Sequence, residues 1–214
     1  MTPDDVIPLH LADVTYPDSH PLAGQEGPVL AFAIRHADGI VLVDTGIGEG
    51  NEWVDENYRP RSRDVRDALS AAMLDPKNVR VIVNSHLHFD HCGQNRAFPD
   101  VPIYVQQAEL DLALRAGHTV VEWVDFPSAR YEPVDGDREI VDGVSVLGTP
   151  GHTPGHQSVT VRTGDGLVLI VAQAAQDARS FATGPADASI ERLRALNADR
   201  IHFSHDRAVL RRRK

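Results

Sequence analysis

The chain has 214 residues, 31 acidic and 21 basic, for a formal charge of -10 at pH 7. That acidic excess argues against a general nucleic-acid binder, which needs a basic face. There is no apolar run of the ~18 residues a membrane span needs, no signal-peptide pattern at Met1-Thr2-Pro3-Asp4-Asp5 and one cysteine, hence no internal disulfide, so a soluble cytoplasmic protein is expected.

Val6 to Tyr16 predicts a first strand. Strands at Val29 to Ile34 and Ile40 to Asp44 follow, joined by a turn at Ala37-Asp38-Gly39. From Asp64 to Leu74 the apolar residues Val65, Ala68, Leu69, Ala72 and Met73 fall at i, i+3, i+4, i+7 and i+8, the spacing of a helix with one buried face. Ser62 or Asp64 would cap this helix and Asp75-Pro76 would end it. Val79 to Val83 reads as a buried strand. Next come a short strand at Ile103 to Val105 and a helix over Gln107 to Arg115, closed by Gly117. A second half is expected to begin near residue 131. It holds strands at Val144 to Leu147, Gln157 to Val161 and Leu167 to Val171, a helix over Ala188 to Leu196 that buries Ile190, Leu193 and Leu196, and a last strand from Arg200 to Phe203. The basic tail Arg211-Arg212-Arg213-Lys214 reads as a solvated end. This order suits two face-to-face sheets with helices outside, an α/β (α+β) sandwich formed as one domain over 1–214.

The densest chemistry follows the strand at Val79 to Val83. The run Ser85-His86-Leu87-His88-Phe89-Asp90-His91-Cys92-Gly93 places three imidazoles and a carboxylate within six positions. Imidazole nitrogen suits zinc and other borderline metals, and a carboxylate balances cation charge. In extended backbone, positions i and i+2 face one way, so His86 and His88 can reach one ion together, while Asp90 and His91 lie past the bend and can face a second. Cys92 reads as a small buried residue behind this loop.

The spacing His-x-His-x-Asp-His after a strand resembles the metallo-β-lactamase superfamily. Three further segments resemble that family in its order: Val41-Leu42-Val43-Asp44-Thr45-Gly46, Thr149-Pro150-Gly151-His152-Thr153-Pro154-Gly155-His156 and Phe203-Ser204-His205-Asp206. The resemblance implies a four-layer αββα sandwich and one or two zinc ions, with iron or manganese as alternatives. His86, His88 and His152 would hold the first ion; Asp90, His91 and His205 would hold the second, with His205 preferred to His202. It places catalytic roles at Asp90 and His205. Asp44 and His156 would stand behind the ligands, orienting or bracing them.

The family's dinuclear members carry a bridging aspartate where this chain has Gln173, expected here as a weak ligand or none; Asp177 is expected to be out of reach. A neutral amide offsets no metal charge, so a weaker second ion, or a one-ion site, is expected. Within the family the motifs look most like its lactonase-like group. The implied activity is a metal-dependent hydrolase that attacks the carbonyl of a lactone or other ester. Some lactonases of that group carry a tyrosine where this chain has Gln176, and no hydroxyl acid is expected at that point. Alternatives are a catalytically degenerate protein that binds metal or ligand, and a thioesterase of the glyoxalase II kind. A small-molecule substrate and a possible homodimer are expected, with no nucleic-acid or membrane partner. The stretches Ile47 to Pro60, with Trp53 and Tyr58, and His118 to Tyr131, with Trp123, Phe126 and Tyr131, are candidate walls of an apolar pocket.

Overall fold

Alternation along the strands sorts side chains between apolar layers. In the computed structural model, which describes residues 1–113, 115 and 117–212, the chain opens with β1 (Val6–Thr15), β2 (Glu26–His36) and β3 (Gly39–Val43). On β2, Leu30, Phe32 and Ile34 face one layer and Ala31 and Ala33 the other. Such a two-residue period leaves both faces of a strand buried when layers cover both. Helix α1 (Glu52–Tyr58), β4 (Arg61–Ser62), α2 (Val65–Ala71), β5 (Val79–Val83), α3 (Phe89–Cys92), β6 (Pro102–Gln106), α4 (Gln107–Ala113), α5 (Val121–Val124) and β7 (Arg130–Val134) follow. The chain continues through β8 (Arg138–Val141), β9 (Val144–Gly148), β10 (Gln157–Thr163), β11 (Gly166–Ile170), α6 (Ala178–Thr183), α7 (Ala188–Ala195), β12 (Arg200–His202) and β13 (Leu210–Arg211).

Two sheets result, ordered β4-β1-β2-β3-β5-β6-β7 and β13-β12-β11-β10-β9-β8. The core between them joins Phe32, Val43 and Val83 of the first sheet to Val146, Val159 and Ile170 of the second. Outside the first sheet, Val65, Ala68 and Leu69 of α2 cover Ala31, Leu42 and Ile82. Outside the second, Phe181 of α6 with Ile190 and Leu193 of α7 cover Leu169 and Phe203. This is the expected four-layer αββα sandwich. None of the described helices is long and apolar enough to cross a membrane.

Several local expectations need correction. Helix α2 ends at Ala71, and Met73 takes φ 58° and is 91% exposed rather than buried. The Leu74 N–H returns to Leu69 O and the Met73 N–H to Ser70 O, a closing motif that turns Met73 outward and Leu74 in. Asp64, not Ser62, is the cap: its carboxylate accepts from the Arg66 and Asp67 N–H groups. Strand β7 belongs to the first sheet, so the second sheet begins after Val134, later than residue 131. The expected helix over Gln107 to Arg115 is described only to Ala113, and residues 213–214 of the basic tail lie outside the described residues.

Candidate metal centre

Strand ends from both sheets meet at one rim. β3 and β5 are parallel neighbours, so Asp44 and Ser85 leave the first sheet side by side. β11 and β12 are also parallel, and Gln173 and His205 leave the second sheet together. The turn between β9 and β10 carries His152. Backbone bonds tie this rim across the sheets: Gln157 N–H to Ser85 O at 2.8 Å and Leu30 N–H to Ser204 O at 2.8 Å.

Asp44 sits in the left-handed region (φ 62°), a cost its bonds offset. Its carboxylate accepts from the Ser85 N–H at 2.7 Å and the Ser85 hydroxyl at 2.8 Å, and His91 Nδ1 lies 2.8 Å away. Ser85 Oγ, having donated to Asp44, accepts from His86 Nδ1 at 3.1 Å. That chain leaves the lone pair of His86 on Nε2, facing inward.

His86, His88 and His152 bring one donor atom each within 4.8 Å of one another. His86 Nε2 and His152 Nε2 lie 3.1 Å and 2.9 Å from His88 Nδ1. Tetrahedral zinc, with Zn–N bonds of about 2.0–2.1 Å, would separate its donors by about 3.3 Å. Asp90, His91 and His205 form a second such trio. Asp90 Oδ2 lies 3.6 Å from His91 Nε2 and 3.5 Å from His205 Nε2. His205 Nδ1 donates to Pro28 O at 3.0 Å, so Nε2 holds the lone pair, and this buried nitrogen has no hydrogen-bond partner. A buried acceptor left without a hydrogen bond, amid one carboxylate and a second imidazole, fits a cation. Gln173 Oε1 lies 3.1 Å from His91 Nε2, so the amide is aimed at this trio.

Burial, reinforced by neighbouring imidazoles, pushes His86 well below its ordinary pKa and His152 down to about 3. Burial also lowers His88 to about 4, against the pull of Asp90. The neutral form, which binds metal, is therefore favoured. His91 differs: burial opposes its charge, but Asp90 and Asp44 outweigh that and raise it to about 9. Asp90 is lowered because His91 and His205 outweigh its burial.

His156 contributes to neither trio. Its Nδ1 donates to Thr149 O at 3.1 Å and its Nε2 accepts from the Gln173 N–H at 3.1 Å, so it braces the backbone that carries Gln173. His202 turns away and packs on the Phe32 ring, centroids 5.4 Å apart. Cys92 is buried, its thiol donates to the Leu87 and His88 carbonyls, and burial pushes its pKa up, as for an inert core residue. Asp177 caps α6.

A cavity of about 520 Å³ opens beside the first trio, lined by His88, Trp53, Tyr58, Phe89, His118 and Val120 among others. Trp53, Tyr58 and Phe89 form an aromatic cluster, with the Tyr58 and Phe89 centroids 4.6 Å apart. The other expected stretch does line the cavity, through residues 118–122, but its aromatics do not: Trp123 and Phe126 are buried in apolar clusters and Tyr131 bonds Val124 O. Sequence reading also missed Tyr16, whose hydroxyl accepts from Gln176 Nε2 at 2.9 Å, so a phenol does stand at the Gln176 position. It missed the buried Glu109 as well, although Glu109 shares the buried face of α4 with Ala113 at i+4.

The chain is 36% identical over 167 residues to an N-acyl homoserine lactonase of Bacillus sp and 35% identical to the lactonase AiiA of Bacillus thuringiensis subsp. kurstaki, in each case covering 72% of this chain and 66% of the relative. This chain thus spans just under two thirds of the length of these relatives. It is 29% identical to the lactonase AttM of Rhizobium radiobacter, over 70% of this chain and 65% of AttM. Among solved structures, an AiiA variant of B. thuringiensis with N-decanoyl-L-homoserine at its active site superposes with a TM-score of 0.78 at 28% identity, covering 97% of this chain and 95% of that one. An N-acyl homoserine lactone hydrolase with its product N-hexanoyl-L-homoserine at the catalytic metal centre gives 0.77 at 29% identity, with the same coverage. A family profile described as the metallo-beta-lactamase superfamily matches residues 24–205. The chain belongs to the metallo-beta-lactamase superfamily.

Proposed function

We propose that this chain is a metal-dependent lactone hydrolase that opens the ester ring of an N-acyl homoserine lactone. The observation that carries the reading is the convergence of two ligand trios at one rim, beside a cavity walled by Trp53, Tyr58 and Phe89. His86, His88 and His152 would hold the first ion, and Asp90, His91 and His205 the second. A divalent ion held there would supply Lewis acidity toward a carbonyl and would acidify water near neutral pH. Asp44 positions His91, and through Ser85 it positions His86. The aromatic wall takes up an acyl chain and excludes water, and a small-molecule substrate fits a space of this size. Zinc suits the nitrogen-rich donor set. With Gln173 rather than a carboxylate beside the second trio, the second ion is bound more weakly than the first. The single cysteine, buried and free, is compatible with a reducing cytoplasm.

The test is hydrolysis of acyl-homoserine lactones of graded chain length by the zinc-loaded protein, followed as acid release. Turnover should be clear in the native chain, should favour longer acyl chains, and should fall to background in His86→Ala. A chain that binds zinc and opens no lactone or ester would be a binding protein instead.

A further inference from the structure

Glu109 is a fully buried carboxylate outside both trios. Such a group is costly to bury unless its oxygens are bonded. Oε1 accepts from the Leu87 N–H at 2.9 Å and lies 2.8 Å from His118 Nε2. Oε2 accepts from the Thr153 hydroxyl at 2.7 Å. Leu87 stands between His86 and His88, and Thr153 follows His152. One side chain on α4 is therefore bonded to both segments that supply the first trio. Those segments come from different sheets: the first follows β5 and the second follows β9. The contact is also tight at the backbone. A Cβ on Gly155 would stand 2.3 Å from the Glu109 nitrogen, so the His152 turn lies directly against α4.

We propose that Glu109 is a positioning residue that holds the His86–His88 segment and the His152 turn in register, so that their three ring nitrogens converge on one ion. The inference rests on the metal-site reading above. It requires both carboxylate oxygens. A glutamine offers one acceptor oxygen and an NH2 that only donates. The Thr153 hydroxyl can still accept from that NH2, so glutamine is too mild a change; Glu109→Met, close in volume, offers neither segment an acceptor and releases both.

The experiment is zinc titration of the full, metal-depleted chain against a chromophoric chelator, with thermal unfolding of the metal-free form as the check on folding. Glu109→Met should weaken the tighter zinc by about 10- to 100-fold, the range typical of partners behind metal ligands. Thr153→Val should weaken it less, and Thr153→Ser, which keeps the hydroxyl, should restore it. Metal-free unfolding of Thr153→Ser should match the native chain; Thr153→Val, which strips Oε2 of its donor, should unfold earlier but still cooperatively, which shows that it folds. Native zinc affinity in Thr153→Val and in folded Glu109→Met overturns the proposal; should Glu109→Met not fold, Thr153→Val decides alone. A native chain that binds no zinc removes the metal-site reading itself, and this inference with it, before any variant is compared.

Discussion

Gln173 is held from two directions. Its amide oxygen lies 3.1 Å from His91 Nε2, and its backbone N–H is bonded to His156 Nε2. Burial and the neighbouring imidazoles push His156 down to about 3, so this ring stays neutral and its Nε2 stays an acceptor for that N–H. The backbone at 173 is thus fixed independently of its side chain, and a carboxylate can replace the amide with little movement. Gln173→Asp places a negative charge beside the second trio, where attraction to a divalent ion is strong at low dielectric. We expect the second ion to tighten by roughly tenfold or more, since changes around ligands shift affinity on that scale. Metal analysis after exhaustive dialysis should rise from clearly below two ions per native chain to two in the variant. Two ions retained by the native chain would show that the amide is no handicap.

At the scale of elements, what was legible depended on length and on who the partners are. β2, β3 and β5 could be read because two-residue alternation places Val41 and Val43 on one face and Ile40 and Leu42 on the other. Helices α3, α5 and α6 run only four to six residues, too short for a helical period to show, and α1 buries only Val54, so it shows no apolar period. β7 hid because it is an edge strand, mostly accessible and broken by Pro133. The trios could be read because metal ligands follow spacing rules and resembled a known pattern. Glu109 followed no such rule: its partners are a backbone N–H 22 positions away and a hydroxyl 44 away. Gly93 shows how closely the metal loop packs. Its N–H donates to Gly46 O at 2.8 Å, and a Cβ there would stand 2.0 Å from Gly48 N and 2.7 Å from the Ile47 carbonyl carbon. Both neighbours are backbone and cannot swing aside. Gly93→Ala should cost about 3 kcal/mol or more, as overpacking against rigid structure does. Gly148→Ala, whose nearest neighbour would be at 3.5 Å, should stay within about 0.5 kcal/mol. Urea unfolding of the two variants compares them directly, and equal midpoints would refute the packing argument.

Across the whole molecule, the proposed ions would join two sheets that already share an apolar core. His86 and His88 follow β5 of the first sheet, while His152 and His205 belong to the second. A large apolar cluster joins the sheets, so removing metal should lower stability without abolishing the fold. Zinc at about 1,000 times its Kd contributes about 4 kcal/mol, and chelation should remove that amount. Chelation should also reveal a pH dependence that bound metal masks. The folded chain holds His88 at about 4 and His152 at about 3, below the ~6.5 of an unfolded histidine. Their neutral forms are favoured by folding, so the stability they carry is present above pH ~6.5 and lost as pH falls toward 4, by up to about 1.4 kcal/mol per pH unit for His88 and by less for His152, which is exposed and screened by solvent. His91 has the opposite sign: raised to about 9, it adds stability below pH ~6.5 that is lost as pH rises through 9. With the imidazoles of His86, His88, His152 and His205 lowered and that of His91 raised, the chelated chain should lose stability on the acid side of pH ~6.5 and again toward pH 9. The zinc-loaded chain, its imidazoles held neutral by the ion, should stay level over most of that span. Urea midpoints measured from pH 5 to pH 9 with and without chelator decide it, and parallel curves for the two forms would mean that these histidines hold no metal.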